Sequence, residues 1–471
     1  MSSVDINSGS VDINSGNISL GSHILDIYAT DRLNNTSPII RLNINRYLFG
    51  TNHNNRILTT KKYPNNYPTA QPPSVPFPNQ PSSISTILQE IKNMGMNAVR
   101  VSMYWEGYRW YKSQGQTSTF LNRLKEVAST ADSLGLGIVY NVMHQWKISS
   151  ALYSSPSKTN RGAGFPEECL RALNLIPSDF NTGNAYIYDQ AIDGSTNEAM
   201  MPRSIFWKAF VRNYNVTIDG ITKLIWQHIW DDYFRDVVSA TKDYRSTAGY
   251  ELMNEPFEGV ANVDVNDYQG LGNYYSYIAE RIRGITNKAI SFTAPLSWRL
   301  NHEQIESVYP DLRGKSWQYK EAELTKRLLI PRDSNGDIIS NLLFNYNIYG
   351  WATPNNSPYP NGYIHPNDLE LFNQFDRIRN ELKQQGVINY VIPMLITEWN
   401  QSNGITTEPT VDTYANGYLK HFKQRGYSWF YFNYEPNHPW TIKNWNYNDK
   451  KNSQGITYKQ ILRDAMRQAG Y

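Results

Sequence analysis

Several features that would mark a specialised class of protein are scarce or missing in this sequence. Cysteine occurs once among 471 residues, at Cys169, so no disulfide can form within the chain and no metal site can be built from cysteines. No run of about 20 apolar residues is present, and we therefore expect no membrane span. The N-terminal segment MSSVDINSGSVDINSG has no basic stretch followed by an apolar run, so no secretory signal peptide is visible.

Charge is scarce as well. Charged residues make up 18% of the chain, below the roughly 25% of an average soluble domain, and the formal net charge is +3. This balance gives no electrostatic reason to expect a nucleic acid or an anionic membrane as a partner. Aromatic residues are abundant, with 34 Tyr and 13 Trp. Aromatic rings stack on the apolar faces of sugars, although a large core and a genome rich in A and T would give the same composition.

The chain divides into a short arm and one long remainder. Residues 3–16 repeat the heptapeptide SVDINSG, which is too short and polar to bury a core, so we expect residues 1–17 to form a flexible arm. The proline-rich stretch 63–81 predicts an irregular loop. No Gly/Ser-rich or Pro-rich linker divides the middle of the chain, and we expect residues 18–471 to form a single domain.

From residue 82 onwards, short apolar strands alternate with amphipathic helices, which predicts an α/β fold. With a first strand near 47–51, about eight strand–helix repeats are present. This number predicts a (β/α)8 TIM barrel with an N-terminal extension and with long insertions at 145–202 and 297–338 on its C-terminal face. One long helix, 204–240, is predicted to break near 216–219. The other predicted strands are 98–101, 137–142, 250–253, 289–293, 342–348, 390–396 and 428–433.

Two glutamates stand at the ends of predicted barrel strands. Glu255 precedes Pro256, which cannot continue a central strand, and Glu398 follows the strand 390–396. Because the C-terminal ends of barrel strands form the active-site mouth, both carboxyl groups are expected there. Glycosidic cleavage needs one group to protonate the leaving oxygen and another to attack or stabilise the anomeric carbon. A single Glu at a strand end more often caps a loop or pairs with Arg, but two in one mouth favour glycoside hydrolysis.

The surroundings of these glutamates resemble a known family. Residues 253–256 (MNEP) match the Asn-Glu-Pro signature of the cellulase-type glycoside hydrolases, family 5, and residues 396–399 (ITEW) resemble the nucleophile segment of its seventh strand. Residues 99–101 (VRV) resemble the segment with the strand-two arginine, and residues 143–145 (MHQ) resemble the strand-three histidine segment. The four segments occur in the order of the family, and the resemblance extends over about residues 84–435.

This resemblance implies a retaining β-glycosidase and assigns a role to each matching residue. Glu255 would be the acid and then the base, and Glu398 would be the nucleophile. Arg100 would hold Glu398 and keep it ionised, because a nearby cation favours the charged form. Asn254 would bind the 2-hydroxyl of the sugar. For His144 a contact with the substrate is expected, the alternative being a hydrogen-bonded residue of the barrel.

Two strands depart from the family pattern. In the sixth strand Tyr349 keeps the tyrosine that would bond to the nucleophile, but Asn347 stands where the family usually has histidine. The eighth strand does not clearly have the sugar-stacking tryptophan of the family, and Glu435 after it is a third carboxylate, which caps a loop or faces the mouth. Five tryptophans that follow predicted strands are candidates to line a groove for several sugars: Trp105, Trp110, Trp146, Trp298 and Trp351. Further substrate-binding or supporting roles are expected for Trp105, Trp146 and Trp399.

The substrate is predicted only by class. We expect endo-action on a β-linked glucan or a related glycan. Local similarity around 250–259 to the endoglycoceramidase branch gives a glycolipid as an alternative substrate. Against this alternative, that branch usually has a C-terminal β-sandwich, and few residues follow Glu435. A β-mannanase is another alternative. The alternative from a different class is a barrel that binds carbohydrate without catalysis, which the retained Arg100, Asn254, Glu255, Tyr349 and Glu398 disfavour. The expected partner is the carbohydrate, with no cofactor and no metal, and a polymeric substrate favours an extracellular location.

Overall fold

The structure is a computed structural model that describes residues 21–27, 40–46, 49–54, 84–144, 164–173, 202–257, 263–295, 300–351, 364–403, 410–431 and 455–471. The strands within these residues are β1 (Gly21–Ile27), β2 (Ile40–Arg46), β3 (Phe49–Asn54), β4 (Ala98–Ser102), β5 (Gly137–Asn141), β6 (Asn215–Ile218), β7 (Ile221–Leu224), β8 (Thr247–Glu251), β9 (Ala289–Thr293), β10 (Leu342–Trp351), β11 (Met394–Asn403) and β12 (Ser428–Tyr431).

Helices lie between most of these strands. They are α1 (Ile84–Asn93), α2 (Trp105–Ser113), α3 (Thr117–Leu134), α4 (Glu167–Ala172), α5 (Pro202–Val211), α6 (Ile225–Ile229, a π-helical turn Trp230–Phe234, and Arg235–Thr241), α7 (Val265–Arg283), α8 (His302–Val308), α9 (Trp317–Leu324 and a π-helical turn Thr325–Leu329), α10 (Pro366–Gln384), α11 (Val411–Tyr414, a π-helical turn Ala415–Leu419, and Lys420–Arg425) and α12 (Tyr458–Ala469). A 3-10 turn, Pro310–Leu312, follows α8. Within the described residues, no helix has both the length and the apolar character needed to cross a bilayer.

Eight parallel strands close into a barrel, in the chain order β3, β4, β5, β8, β9, β10, β11 and β12. The ring is completed where β12 pairs with β3, with Phe430 opposite Gly50. Parallel neighbours need crossover connections, and right-handed connections place the helices on the outside of such a barrel. The (β/α)8 barrel predicted from the alternation of strands and helices is therefore confirmed.

The interior of the barrel has an apolar layer near the N-terminal ends of the strands and a polar layer near their C-terminal ends. Seven side chains, one from each of the barrel strands β4, β5, β8, β9, β10, β11 and β12, form a buried cluster apart from the main core: Ala98, Val139, Ala248, Ala289, Leu343, Leu395 and Phe430. Because side chains alternate with a period of two, the next inward residue lies two positions further along each regular strand. On β4 and β5 these are Arg100 and Asn141, which are both fully buried. The layer nearest the C-terminal ends is thus polar, and the candidate site is built there.

The break predicted inside helix 204–240 is a β-hairpin. Strands β6 and β7 pair antiparallel, with Ile218 opposite Ile221. The two residues between them, Asp219 and Gly220, have φ angles of 53° and 74°. Both are left-handed, as a type I′ hairpin turn requires, and Asp-Gly is a preferred sequence for that turn. The prediction of a continuous helix with a break is corrected accordingly.

At the N-terminus, β1 and β2 form an antiparallel pair outside the barrel, and β3 is the first barrel strand expected near 47–51. The arm 1–17, the loop 63–81 and most of the insertion 145–202 lie outside the described residues. The second insertion includes α8, the 3-10 turn and α9. The prediction that 18–471 is a single domain stays a prediction.

Candidate active site

The guanidinium group of Arg100 is the centre of a buried polar network. On β4, its Nε and Nη2 donate to the two carboxylate oxygens of Glu251, over 2.6 and 2.7 Å. Nη1 donates to Oε1 of Glu398 over 2.8 Å, and Nη2 donates to Oδ1 of Asn254 over 2.8 Å. Burial alone would lower the pKa of Arg100, but the two carboxylates outweigh burial and raise it. The cation is therefore fixed in the barrel, where an unpaired charge would be very costly.

A β-bulge turns Glu398 into the barrel. Between β10 and β11, Tyr346 lies opposite Ile396, but Asn347 lies opposite Glu398, so Thr397 is an extra residue in β11. Regular alternation from the interior residue Leu395 would turn Thr397 inward and Glu398 outward. With the bulge, both residues reach inward partners, since Thr397 bonds to Asn347 and Glu398 bonds to Arg100. Bulges of this kind occur next to active sites, where they redirect a side chain.

Glu255 stands just beyond the end of β8 in a left-handed backbone conformation, with φ 40°. This conformation is uncommon for a residue with a side chain and interrupts the direction of the strand. The preceding segment is held by the backbone N–H of Asn254, which donates to the carbonyl oxygen of Met143 over 3.0 Å. The Glu255 side chain is half-buried, and its Oε1 accepts a hydrogen bond from Nδ2 of Asn347 over 2.8 Å.

Asn347 connects the two halves of the site. Its Oδ1 accepts from the hydroxyl of Thr397 over 2.6 Å, which orients the amide so that Nδ2 faces Glu255. The same Nδ2 lies 3.5 Å from Oδ1 of Asn254, which in turn accepts from Arg100. Hydrogen bonds therefore lead from Glu398 through Arg100, Asn254 and Asn347 to Glu255. The two glutamates that the sequence singled out are brought into one network at one end of the barrel.

His144 lies beside this network, after β5, and is buried. Its Nδ1 is 2.7 Å from Nδ2 of Asn141, and its ring meets the edge of Tyr104 at a centroid distance of 5.2 Å. An amide N–H can only donate, so Nδ1 is the acceptor and a neutral ring has its proton on Nε2. The structure therefore keeps His144 at the mouth as a hydrogen-bonded residue, and its contact with the substrate stays a prediction.

Comparison with known proteins shows the family of the chain. The chain matches the sequence profile described as cellulase (glycosyl hydrolase family 5) over residues 63–438. The chain belongs to glycosyl hydrolase family 5. It is 26% identical to an endoglycoceramidase of Cyanea nozakii over 244 residues, which are 48% of this chain and 45% of the relative. It is also 26% identical to an endoglycoceramidase of Hydra vulgaris over 226 residues, which are 44% and 40% of the two chains. The matched part of this family 5 chain thus spans less than half the length of these curated relatives.

Solved structures show the same fold. Endo-glycoceramidase II from Rhodococcus sp. in its ganglioside GM3 complex has a TM-score of 0.53 to this family 5 chain at 15% identity, over 89% of this chain and 78% of that one. The lactosyl-enzyme intermediate of the same protein has a TM-score of 0.52 with the same identity and the same coverage. At such low identity the similarity concerns the fold alone.

Two tryptophans do not reach the mouth. The ring of Trp399 has no exposed surface and packs outside the barrel wall, against Tyr414, Tyr418 and Trp429 among others. The bulge explains this, because turning Glu398 inward turns the next residue outward. Trp105 is also fully buried, and its Nε1 donates to Asp232 over 2.9 Å. The expectation of a substrate contact is therefore corrected for Trp105 and Trp399, which are packing residues.

Other candidates are described only in part or not at all. Tyr349 lies on β10 opposite Asn400, and only its backbone is described. Trp146, Trp298 and Glu435 lie outside the described residues. Trp110 is part of α2, and Trp351 ends β10. The groove lined by tryptophans therefore stays a prediction, and Trp105 is no longer part of it. Among the described residues, no group of three His, Cys, Asp or Glu side chains is arranged to hold a metal ion.

Two further residues of the network, Glu251 and Thr397, are not marked by the sequence motifs. Glu251 ends β8 with 1% of its surface exposed and binds Arg100 with both carboxylate oxygens. Burial raises the pKa of Glu251, and the charge of Glu398 acts in the same direction, against the opposing effect of Arg100. A signal was available, because a glutamate inside an otherwise apolar strand is rarely buried without a partner. For Thr397 no such signal exists, since its contact depends on the bulge.

Proposed function

We propose that this protein is a retaining β-glycoside hydrolase that acts by double displacement. The observation that carries the proposal is the hydrogen-bond network that leads from Glu398 on β11 to Glu255 beyond β8. Two carboxyl groups at one mouth are what this reaction requires. Retention of both glutamates, of Arg100 and of Asn254 favours an enzyme over a barrel that only binds carbohydrate.

In the first step, a carboxylate oxygen of Glu398 attacks the anomeric carbon and the bond to the leaving oxygen breaks. Arg100 holds Glu398 in place through the hydrogen bond from Nη1. Glu255 gives its proton to the leaving oxygen, and the amide of Asn347 orients the carboxyl group that does so. The products of this step are the released aglycone and a glycosyl ester of Glu398.

In the second step, the ionised Glu255 removes a proton from water, and the water oxygen attacks the anomeric carbon. The ester bond breaks, Glu398 leaves as a carboxylate, and Glu255 is protonated again. Two displacements at one carbon restore its original configuration. Asn254 is assigned to the 2-hydroxyl of the sugar, where a hydrogen bond strengthens in the oxocarbenium-like transition state.

For the substrate, we propose a glycan attached through a β-glycosidic bond to a lipid. The two curated relatives described above are endoglycoceramidases, and this similarity favours the glycolipid over the β-linked glucan expected from the sequence. A β-linked glucan or mannan is the second candidate, since the profile that matches residues 63–438 is that of cellulases.

One experiment tests both parts of the proposal. The purified protein is incubated with a glycosphingolipid in detergent, β-glucan, mannan and aryl β-glycosides, and with a 2-fluoro glycoside bearing an activated leaving group. We expect glycan release from the glycolipid and covalent labelling of Glu398, located by peptide mapping. Glu398→Gln should not be labelled, whereas Glu126→Gln, which changes an exposed carboxylate on α3, should be labelled like the wild type. A label on Glu251 or Glu435 would refute the role of Glu398, and activity on β-glucan alone would refute the glycolipid.

A further inference from the structure

Arg100 donates more of its described hydrogen bonds to Glu251 than to the nucleophile Glu398. Of the four hydrogen bonds described above for the guanidinium, two go to Glu251, one goes to Glu398 and one goes to Asn254. The two bonds to Glu251 are parallel and involve both carboxylate oxygens, which is the arrangement that fixes the plane of a guanidinium group. Since Arg100 and Glu251 are both buried, little water competes for these bonds.

We infer that Glu251 is a positioning residue of the glycosidase: it orients Arg100 so that Nη1 reaches Glu398 and Nη2 reaches Asn254. The inference rests on the proposed function. Without the carboxylate of Glu251, the guanidinium is free to turn both of its Nη groups towards Glu398, because a bidentate pair with a carboxylate is its preferred geometry. Asn254 would then lose the hydrogen bond from Arg100, and the nucleophile would be held in a different orientation.

Glu251 also sets the charge around the nucleophile. The buried group contains one cation, Arg100, and two carboxylates, Glu251 and Glu398. Tyr275 on α7 also acts electrostatically with Glu251, and its hydroxyl donates to the carbonyl oxygen of Thr293. In a dry site, the negative charge of Glu251 offsets part of the pull of Arg100 on Glu398. Replacement of Glu251 by a neutral residue would therefore change the electrostatic field at the nucleophile.

A merely structural role for Glu251 predicts something different. If this residue only neutralises a buried arginine, its replacement lowers the stability of the fold and leaves the folded fraction with an unchanged pH profile. A positioning role predicts that the folded variant itself is altered. The two roles are separated by measuring kcat/KM against pH on protein that is shown to be folded by circular dichroism.

The experiment compares the wild type with Glu251→Gln and Glu251→Asp on an activated aryl β-glycoside, which needs no proton from Glu255. For Glu251→Gln we expect kcat/KM to fall about 100-fold, the size of loss that misplaced catalytic groups produce. The acidic limb of its pH profile should also move, because a negative charge beside the catalytic carboxyl groups is removed. Glu251→Asp keeps the charge, so its acidic limb should stay at the wild-type pH and part of the rate should be restored.

Folded Glu251→Gln with wild-type kcat/KM and an unmoved acidic limb would overturn the inference. If Glu251→Gln does not fold, Glu251→Asp decides alone, because its shorter side chain must still lower kcat/KM, and a wild-type value would overturn the inference. If the wild type itself hydrolyses none of the glycosides, the proposed function fails, and that result is distinct from a failure of Glu251.

Discussion

Asn347 donates a hydrogen bond to Glu255, with 2.8 Å between Nδ2 and Oε1. The resemblance to family 5 gave histidine as the usual residue at this position, and a histidine changes its charge near neutral pH. An amide does not titrate, so the donor that faces Glu255 is present at every pH. Thr397 fixes the amide by donating to its Oδ1 over 2.6 Å, which prevents the carbonyl end from turning towards the carboxyl group.

Asn347→Ala should weaken proton donation by Glu255 without abolishing it. We expect kcat/KM for substrates with poor leaving groups to fall about 10-fold, a part of the 10²–10⁴-fold that a general acid contributes. Activated aryl glycosides need no proton, so their kcat/KM should change much less. The measurement is kcat/KM for a series of leaving groups, with Asn380→Ala on the surface of α10 as the control. Equal losses along the whole series would show that Asn347 does not act through Glu255.

The activity lost when Glu255 is removed should be restored by an external nucleophile. Glu255→Ala is expected to lose most activity on poor leaving groups and to form the glycosyl-enzyme readily from activated glycosides. The intermediate then lacks a base to activate water, and azide, which needs no base, should restore turnover and give the β-glycosyl azide. Product analysis by NMR checks this outcome. Loss on every substrate without rescue by azide would mean that Glu255 is not the acid/base.

The carboxyl groups of Glu255 and Glu398 should lie about 5–5.5 Å apart, which is the separation for direct attack. A crystal structure measures this distance, and NMR of the first product measures the outcome, which should be the β-anomer. A separation near 9 Å, or an α-anomer formed first, would indicate inversion and contradict the double displacement.

Much of the fold was readable from the sequence, because most barrel strands from β4 onwards are buried on both faces and stand out as short apolar runs. The strand 289–293 was predicted with the bounds that the structure gives, and the predicted strands 98–101 and 137–142 differ from the structure by one residue each. The two glutamates were also readable, since a polar residue at the end of such a strand has to face the mouth. These features depend on local sequence and on the alternation of strands with helices.

Three features of the structure could not be predicted from local sequence patterns. Alternation along β11 predicts that Glu398 faces outward and Trp399 inward, and the bulge at Thr397 reverses both. The hairpin β6–β7 replaced a predicted helix because two strands of four residues are too short to show a clear period. The pair between Arg100 and Glu251 joins residues 151 positions apart, and it follows from the adjacency of β4, β5 and β8 in the closed barrel.

An ion-pair cluster joins the helices α2 and α6. Asp232, in the π-helical turn of α6, accepts hydrogen bonds from Trp105 over 2.9 Å and from Arg109 over 3.3 Å, and it is paired with Lys112. These three donors all lie on α2, the helix that follows β4, so the cluster ties α2 to α6. Burial would raise the pKa of Asp232, but Lys112, Trp105 and Arg109 outweigh burial and lower it.

This lowered pKa fixes how stability depends on pH. In the unfolded chain an aspartate has a pKa of about 3.9, and in the folded protein Asp232 binds its proton less readily. The folded state is therefore favoured above about pH 4, and this contribution is lost as the pH falls through the lower folded pKa.

Asp232→Asn should reduce the free energy of unfolding by about 1–3 kcal/mol at pH 7, since it replaces a charged acceptor with a neutral amide. The difference from the wild type should shrink below pH 4, as measured by urea unfolding at pH 7, 5, 4 and 3. Asp243→Asn, whose side chain is 79% exposed, serves as the control and should change little at any pH. A difference that stays constant down to pH 3 would show that Asp232 contributes through packing and not through its charge.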